Sequence, residues 1–351
     1  MNQAQLFSEA QNNDMRQRFL QDSPYDVIII GAGPSGIGAA TALKEQGIHN
    51  ILILERESQV GGAPRHCGHA SFGLRVYKYP MTGPAFIKRI LAKCQSKNKS
   101  KNQFKNKAKN SMDDFILTGV SVLSIHEGGI LKISSDATGI CELKALKIII
   151  ATGARETPRH ARLVSGLRPS QGVLTSGALQ QMIYLQKRLP SFLNPIVIGT
   201  ELVSFSVLWT LKNIGIKARF MLEENPKISA YRCCELFPML LRIPLKKHTK
   251  LIEIGGLEHV EYITIKNKQN NIEKISCDAV IFTGKFIGEN ALIRSSHLAH
   301  DPFTGQILVD QFGMSSDPIY YATGNMLHPG ETGDRCYLEG FKLGASLAKV
   351  I

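Results

Sequence analysis

Three scarcities bound what this chain can be. Its seven cysteines run from Cys67 to Cys336, an odd number with no C-x-x-C spacing. That pattern excludes the disulfide framework of a small secreted domain and offers no metal-ligand spacing, so no metal site is expected. No apolar run is long enough to span a bilayer, because glycines and charges interrupt each candidate, so no transmembrane segment is expected. Acids are also scarce, 29 Asp and Glu against 42 Lys and Arg, for a net charge of +13. Six of the positive charges lie in the acid-free stretch 95–111, QSKNKSKNQFKNKAKNS, and 13 − 6 leaves +7. With one aromatic, Phe104, and no period, that stretch reads as a Lys/Asn-rich surface insertion; a nucleic-acid groove would interleave aromatics with its basic residues. No nucleic-acid partner is expected. Residues 1–24 are polar and mixed in charge, without the apolar centre of a signal peptide, and read as an N-terminal tail. Taken together, these features suit a cytoplasmic protein.

What is present is organised around YDVIIIGAGPSGIGAATALKEQGIHNILILER, Tyr25 to Arg56. Val27 to Ile30 reads as a buried strand, Ile37 to Gln46 as a helix, and Ile51 to Leu54 as a second strand ending at Glu55. Between them, Gly31 permits the tight turn, Gly33 lets the backbone approach a pyrophosphate, and Gly36 lets helix and strand pack closely. The phosphates then sit on the helix N-terminus, and Glu55 falls where an acid accepts hydrogen bonds from a ribose. Gly61 and Gly62 suggest a second place where backbone comes close to a ligand.

At 351 residues the chain suits two domains. The opening pattern returns as PIVIGTELVS, Pro195 to Ser204, followed by a helical run, a strand from Ala218 to Leu222, and Glu223. This internal repeat is faulty, with Glu201 and Ser204 where the second and third glycines belong. A carboxylate at that helix N-terminus faces an incoming pyrophosphate and repels it while satisfying the helix dipole. Two alternating segments, 115–146 and 250–276, read as small antiparallel meanders, and Leu174 to Leu189 as a helix ended by Pro190.

GAGPSG with Glu55, the ATG at Ala151 to Gly153, and YATGN at Tyr321 to Asn325 resemble the two-dinucleotide-binding-domain FAD/NAD(P) flavoproteins. GGAPRHCGHASFG (Gly61 to Gly73), ATGARETPRHARLVSG, RPSQGVLTSGALQ and GNMLHPGETG are most similar to the flavin subunits of amine and amino-acid dehydrogenases. Those include the hydrogen cyanide synthase B subunit, the opine oxidase A subunit, hydroxyproline dehydrogenase and the sarcosine oxidase α subunit. The resemblance implies an α/β fold. A Rossmann-like FAD-binding domain, 25–160 and 286–351, carries an inserted, degenerate NAD(P)-type Rossmann-like domain, 161–285, each with a small antiparallel meander. It implies FAD as cofactor, held by Gly31, Gly33, Pro34, Ser35, Gly36, Glu55, Arg56, Gly62, Ala63, Arg65, Val122, Ala151, Thr152, Gly153, Gly324, Asn325, Glu331 and Thr332. NAD(P) is not expected.

Arg65, His66 and His69 stand where the glycine pair meets the flavin. Either they are catalytic, an imidazole taking a proton from an amine, or they bind phosphate and anchor the loop. Arg155 and Arg159 either clamp a carboxylate or pair with Glu156. Cys67 stands alone and reads as a packed small hydrophobe, and Trp209 and Tyr231 as core or interface residues. Three functions follow. The first is an FAD-dependent oxidoreductase, dehydrogenating an amino acid or secondary amine with a non-NAD acceptor. The second is an NAD(P)H-dependent flavin reductase, and the third a non-catalytic FAD-bearing scaffold. A catalytic or iron-sulfur partner subunit is compatible with all three.

Overall fold

The structure, a computed structural model, describes residues 24–96 and 115–351. The tail expected at 1–24 lies outside them except for Pro24. The Lys/Asn-rich insertion does so too, apart from Gln95 and Ser96 at the end of a helix.

The chain begins with β1 (Tyr25–Ile30), α1 (Pro34–Glu45) and β2 (Ile51–Glu55), then α2 (Gly83–Ser96) and β3 (Ile116–Thr118). A meander follows, β4 (Val120–His126), β5 (Ile130–Ser135) and the long β6 (Gly139–Ile150). β6 serves two neighbours: its first half pairs antiparallel with β5, and its last residues pair parallel with β1. Residues 115–117 were expected in the meander, but β3 pairs parallel with the far edge of β2. Three residues carry too little periodicity to reveal which partner a strand will find.

Val27, Ile28 and Ile29 are fully buried, as a parallel strand covered on both faces requires. One face packs on α1, α2 and the closing helix α4 (Gly333–Leu347), through Ile37, Leu43, Phe86, Ile90 and Tyr337. On the other face the meander residues Leu131, Ile133 and Leu143 cover Ile28, Leu52 and Leu54. Helices α1 and α4 cross so closely that a Cβ on Gly340 would strike the backbone of Ser35.

The connection is an antiparallel ribbon of β7 (Ala154–Glu156) and a later strand, Phe286–Gly288. Between these come β8 (Ser165–Gly166), β9 (Val173–Thr175), β10 (Pro195–Ile198), α3 (Leu202–Asn213), β11 (Phe220–Leu222) and β12 (Leu245–Lys246). A second meander, β13 (Lys250–Gly255), β14 (Tyr262–Lys266) and β15 (Ile272–Ser276), precedes β16 (Ala279–Phe282) and β17 (Phe286–Gly288). β18 (Tyr320–Ala322) returns to the first sheet and pairs with β6.

The second sheet is parallel, in the order β12-β11-β10-β16-β9, with α3 on one face and the meander on the other. The fold is thus α/β with two Rossmann-like domains. The helix expected over 174–189 is shorter and broken. Val173–Thr175 pairs with β16, the Thr175 hydroxyl accepts from Ala178 N to start a helix at Ser176–Gln180, and a π-helical turn continues over Gln181–Leu185.

The two β-α-β units have matching backbones. Gly31 N donates to Leu54 O at 2.8 Å, and Gly199 N donates to Leu222 O at 2.9 Å. Both glycines have positive φ, 108° and 118°. Only side chains distinguish the two crevices.

Candidate active site

A cleft of about 1730 Å³ runs from the α1 N-terminus to the α3 side of the second domain. Pockets for one small ligand are usually roughly 300–1,000 Å³, so it has room for a dinucleotide and a substrate together.

The sequence-predicted residues converge here. Gly31, Gly33, Pro34 and Ser35 form the wall at the start of α1, beside Glu55 and Arg56. Gly62, Ala63 and Arg65 come from the glycine-pair loop, Val122 from β4, and Ala151, Thr152 and Gly153 from the end of β6. Asn325, Glu331 and Thr332 complete the wall before α4. Gly36 and Gly324 do not line the cleft. A Cβ on Gly36 would meet the Gly31 carbonyl, and one on Gly324 would meet the Ser35 side chain, so both act by letting the loop pack.

Gly33 is different. Its φ is −78°, a value any residue adopts, and a Cβ there would have no heavy atom within 4 Å. Protein packing does not require glycine at this position, but a ligand pressed against the backbone does. α1 begins there without a side-chain cap and without an acid in its first turn, which leaves its N–H groups for an anion. Glu55 is buried, and its two oxygens each accept one backbone N–H, Ala32 at 3.0 Å and Glu57 at 3.0 Å. A carboxylate has about four acceptor positions, so capacity remains for ribose hydroxyls. These features fit the adenosine and pyrophosphate of FAD.

The rest of the cleft is tied more tightly. Arg65 pairs with Glu57 and also donates Nε to Gly62 O at 3.3 Å, so its charge is committed to the loop. His66 and His69 are driven down to about 4, by burial in both cases and additionally by the Arg65 charge for His66. Both imidazoles are therefore neutral at pH 7, and their Nδ1 atoms have no partner among the described residues. Asn325 is turned onto its own loop, Oδ1 accepting from Glu331 N at 2.8 Å and Nδ2 donating to Glu331 O at 3.1 Å. Glu331 in turn pairs with Arg335 at 2.6 Å. Asp334, the one acid in the first turn of α4, accepts from Gly73 N and Val76 N, so its charge is held by that loop.

Cys67 lies in the cleft with its thiol pushed up to about 12, by burial first and then by the Glu156 carboxylate. A thiol so held is protonated and poorly nucleophilic. Neither arginine that the sequence offered to Glu156 pairs with it. Arg155 Nε lies 3.8 Å from Glu289, and Arg159 donates to the carbonyls of Ser165 and Leu167. Glu156 instead accepts from the Ser176 hydroxyl and from Gly177 N. Gln181, Phe205 and Phe237 also line the cleft, unsignalled by any local motif, as does Glu156, which the sequence offered only as an arginine partner. Trp209 is there too, 37% exposed and stacked on Phe237, rather than in a core.

In the second nucleotide crevice the side chains bond to one another, and Glu201, Leu202 and Val203 at its helix N-terminus line the same cleft. Glu201 stands at the start of α3, as the sequence reading placed it, but its side chain makes no capping hydrogen bond. Its carboxylate swings onto the Ser204 and Thr283 hydroxyls, at 3.2 and 3.1 Å, and covers Gly284. Ser204 and Thr283 themselves lie 2.6 Å apart. Glu223, the counterpart of Glu55, accepts from the Thr200 and Ser229 hydroxyls and from both nitrogens of Asn225. Its four acceptor positions are all used.

No helix among the described residues is long and apolar enough to cross a membrane, and no metal-holding cluster occurs among them.

Solved structures with this fold include thioredoxin reductase from T. acidophilum, with a TM-score of 0.71 and 19% identity over 93% of this chain and 98% of that one. L-proline dehydrogenase from P. horikoshii superposes with a TM-score of 0.63 and 18% identity, over 93% of this chain and 56% of that one. Among curated proteins, a soluble pyridine nucleotide transhydrogenase from Vibrio parahaemolyticus is 54% identical over 44 residues, 12% of this chain and 9% of the enzyme. The sarcosine oxidase subunit alpha of Corynebacterium sp. is 22% identical over 158 residues, 45% of this chain and 15% of that subunit. The chain thus spans only a small part of the curated relatives it matches. The family profile described as pyridine nucleotide-disulphide oxidoreductase matches residues 25–338. With that span and this fold, the chain belongs to the FAD-dependent pyridine nucleotide-disulphide oxidoreductase family.

Proposed function

We propose that the protein is an FAD-dependent oxidoreductase that dehydrogenates a secondary amine or amino acid, alone or as the flavin subunit of a larger assembly, with an acceptor other than NAD(P). The observation that supports this reading is the second crevice, where a carboxylate, Glu201, stands at the helix start in place of a glycine and bonds the Ser204 and Thr283 hydroxyls, and where Glu223 has its acceptors taken by Thr200, Ser229 and Asn225. A reductase drawing on NAD(P)H requires that crevice open. The isolated, protonated Cys67 argues against disulfide reduction in the same way.

In this reading FAD lies along the cleft. Its pyrophosphate is on Gly33, Pro34 and Ser35 at the α1 N-terminus, its ribose is on Glu55, and its far end reaches Gly62, Ala63 and Thr332. Bound FAD supplies a two-electron acceptor beside the substrate carbon. The protein's own part is to position that carbon and exclude water. Arg65 holds the loop, and the neutral His66 and His69 offer hydrogen bonds to the bound molecules. The 22% match to a sarcosine oxidase subunit supports the amine class.

Anaerobic stopped-flow mixing tests it. Bleaching of the flavin by secondary amines or amino acids, with no response to NADH or NADPH, is the expected result. Rapid bleaching by a nicotinamide, with none by amines, refutes it.

A further inference from the structure

One carboxylate in the cleft has no part in the cofactor reading. Glu156, at the end of β7, shares its wall with Cys67, Gly177 and Ala178. Its donors are the Ser176 hydroxyl, Gly177 N and the Thr175 hydroxyl, and the cation whose field reaches it is Arg162. Arg162 donates to the carbonyls of Thr157, Thr283 and Gly284, and its charge is felt by both Glu156 and Glu201. Two carboxylates to one guanidinium leave −2 + 1 = −1.

Among the described residues no further cation is paired with Glu156 or Glu201, although Lys285 lines the same cleft. Arg155 is paired with Glu289, Lys285 is exposed, both imidazoles are neutral, and Cys67 is protonated. The same cleft also carries aromatic surface. Gln180 links the Cys67 thiol, at 3.6 Å, to Ser206 of α3, at 2.9 Å, and from the same helix Phe205 and Trp209 line the cleft.

We propose that this end of the cleft binds a protonated amine bearing an apolar substituent, its ammonium on Glu156 and its substituent against Phe205 and Trp209. This rests on the amine chemistry proposed above, and narrows it to substrates without a carboxylate near the nitrogen. A partly desolvated carboxylate that shares its one guanidinium with a second carboxylate favours a cation and repels an anion. Burial raises the Glu156 carboxyl above its ordinary range. Affinity for the cation therefore falls with pH as that carboxylate takes up its proton.

Trp209 is the one tryptophan in the chain and reports on this wall directly. The FAD-loaded protein is titrated with N-methylbenzylamine and with benzyl alcohol, its neutral analogue, and binding is read by Trp209 emission and by calorimetry. Glu156→Gln, whose amide oxygen still accepts from Gly177 N while its NH₂ donates to the Ser176 hydroxyl, should weaken amine binding roughly 10- to 100-fold, the range for losing a hydrogen bond to a charged group. Benzyl alcohol should bind both proteins equally, which certifies the fold of the variant. Should Glu156→Gln fail to load FAD, Glu156→Asp, which retains the charge, should bind the amine more tightly than benzyl alcohol.

Unchanged amine affinity in Glu156→Gln, loss in Glu201→Gln instead, or no saturable amine binding overturns the assignment. Glu156-dependent binding without flavin bleaching would sink the oxidation reading and leave this site standing. Bleaching that persists unaltered in Glu156→Gln would do the reverse.

Discussion

Replacing Gly33 with Glu would impose on the first nucleotide unit the side chain that the second carries at the same place. The backbone tolerates it, since φ is −78° and the Cβ enters open space, so the fold should survive with little change in melting temperature. The carboxylate would project toward the seat assigned to the pyrophosphate. Two like charges ~4 Å apart at an effective dielectric of about 20 cost about 4 kcal/mol. That corresponds to roughly three decades in affinity. Purified Gly33→Glu should carry almost no flavin by absorbance, and apoprotein titration should give a Kd weaker by about a thousandfold. Gly33→Ala separates shape from charge and should lose less. Stoichiometric flavin at wild-type affinity in Gly33→Glu would mean the pyrophosphate does not lie at this turn.

Other consequences are equally direct. At pH 8 the Cys67 thiol, pushed up to about 12, should react with iodoacetamide on the order of a thousandfold more slowly than an ordinary thiol, while the exposed Cys233 is labelled readily; equal labelling by mass spectrometry refutes the protonated assignment of this partly buried thiol. His66 and His69 fall from an ordinary 6.5 to about 4 in the fold. Because the folded imidazoles hold protons more weakly than the unfolded ones, their contribution is complete above about pH 6.5 and is lost as pH falls toward 4. At about 1.36 kcal/mol per pH unit the loss reaches about 3 kcal/mol for each histidine. His66→Gln should therefore flatten the acid limb of denaturant-unfolding curves, and an unchanged limb would count against its burial.

The first unit was legible because its mechanism is local. The turn, the helix and the ribose acid lie within 25 residues, and Gly31, Gly33 and Gly36 each have a distinct steric reason. The defect of the second unit was visible for the same reason, since Glu201 and Ser204 replace glycines in a recognisable frame. How Glu201 acts was not visible. At the helix N-terminus its carboxylate bonds the Ser204 hydroxyl and also that of Thr283, a partner 82 residues away that only the tertiary fold supplies. The same limit hid Glu156, whose donors Ser176 and Gly177 lie 20 and 21 residues on. β3 was read as a strand but given the wrong partner, and β9 was taken into a helix, because three residues show no period and their pairing is decided by the sheet they join. Trp209 was read as a core or interface residue, and it lines the cleft, partly exposed.

The central claim is that two matching nucleotide folds differ only in the side chains that bar a dinucleotide from one of them. Calorimetric titration of NADH and NADPH into the FAD-loaded protein tests it most directly, with Glu201→Gly/Ser204→Gly as the comparison. The account predicts binding weaker than about 1 mM in the wild type and a measurable gain in the double variant. Micromolar binding of either nucleotide to the wild type would contradict it.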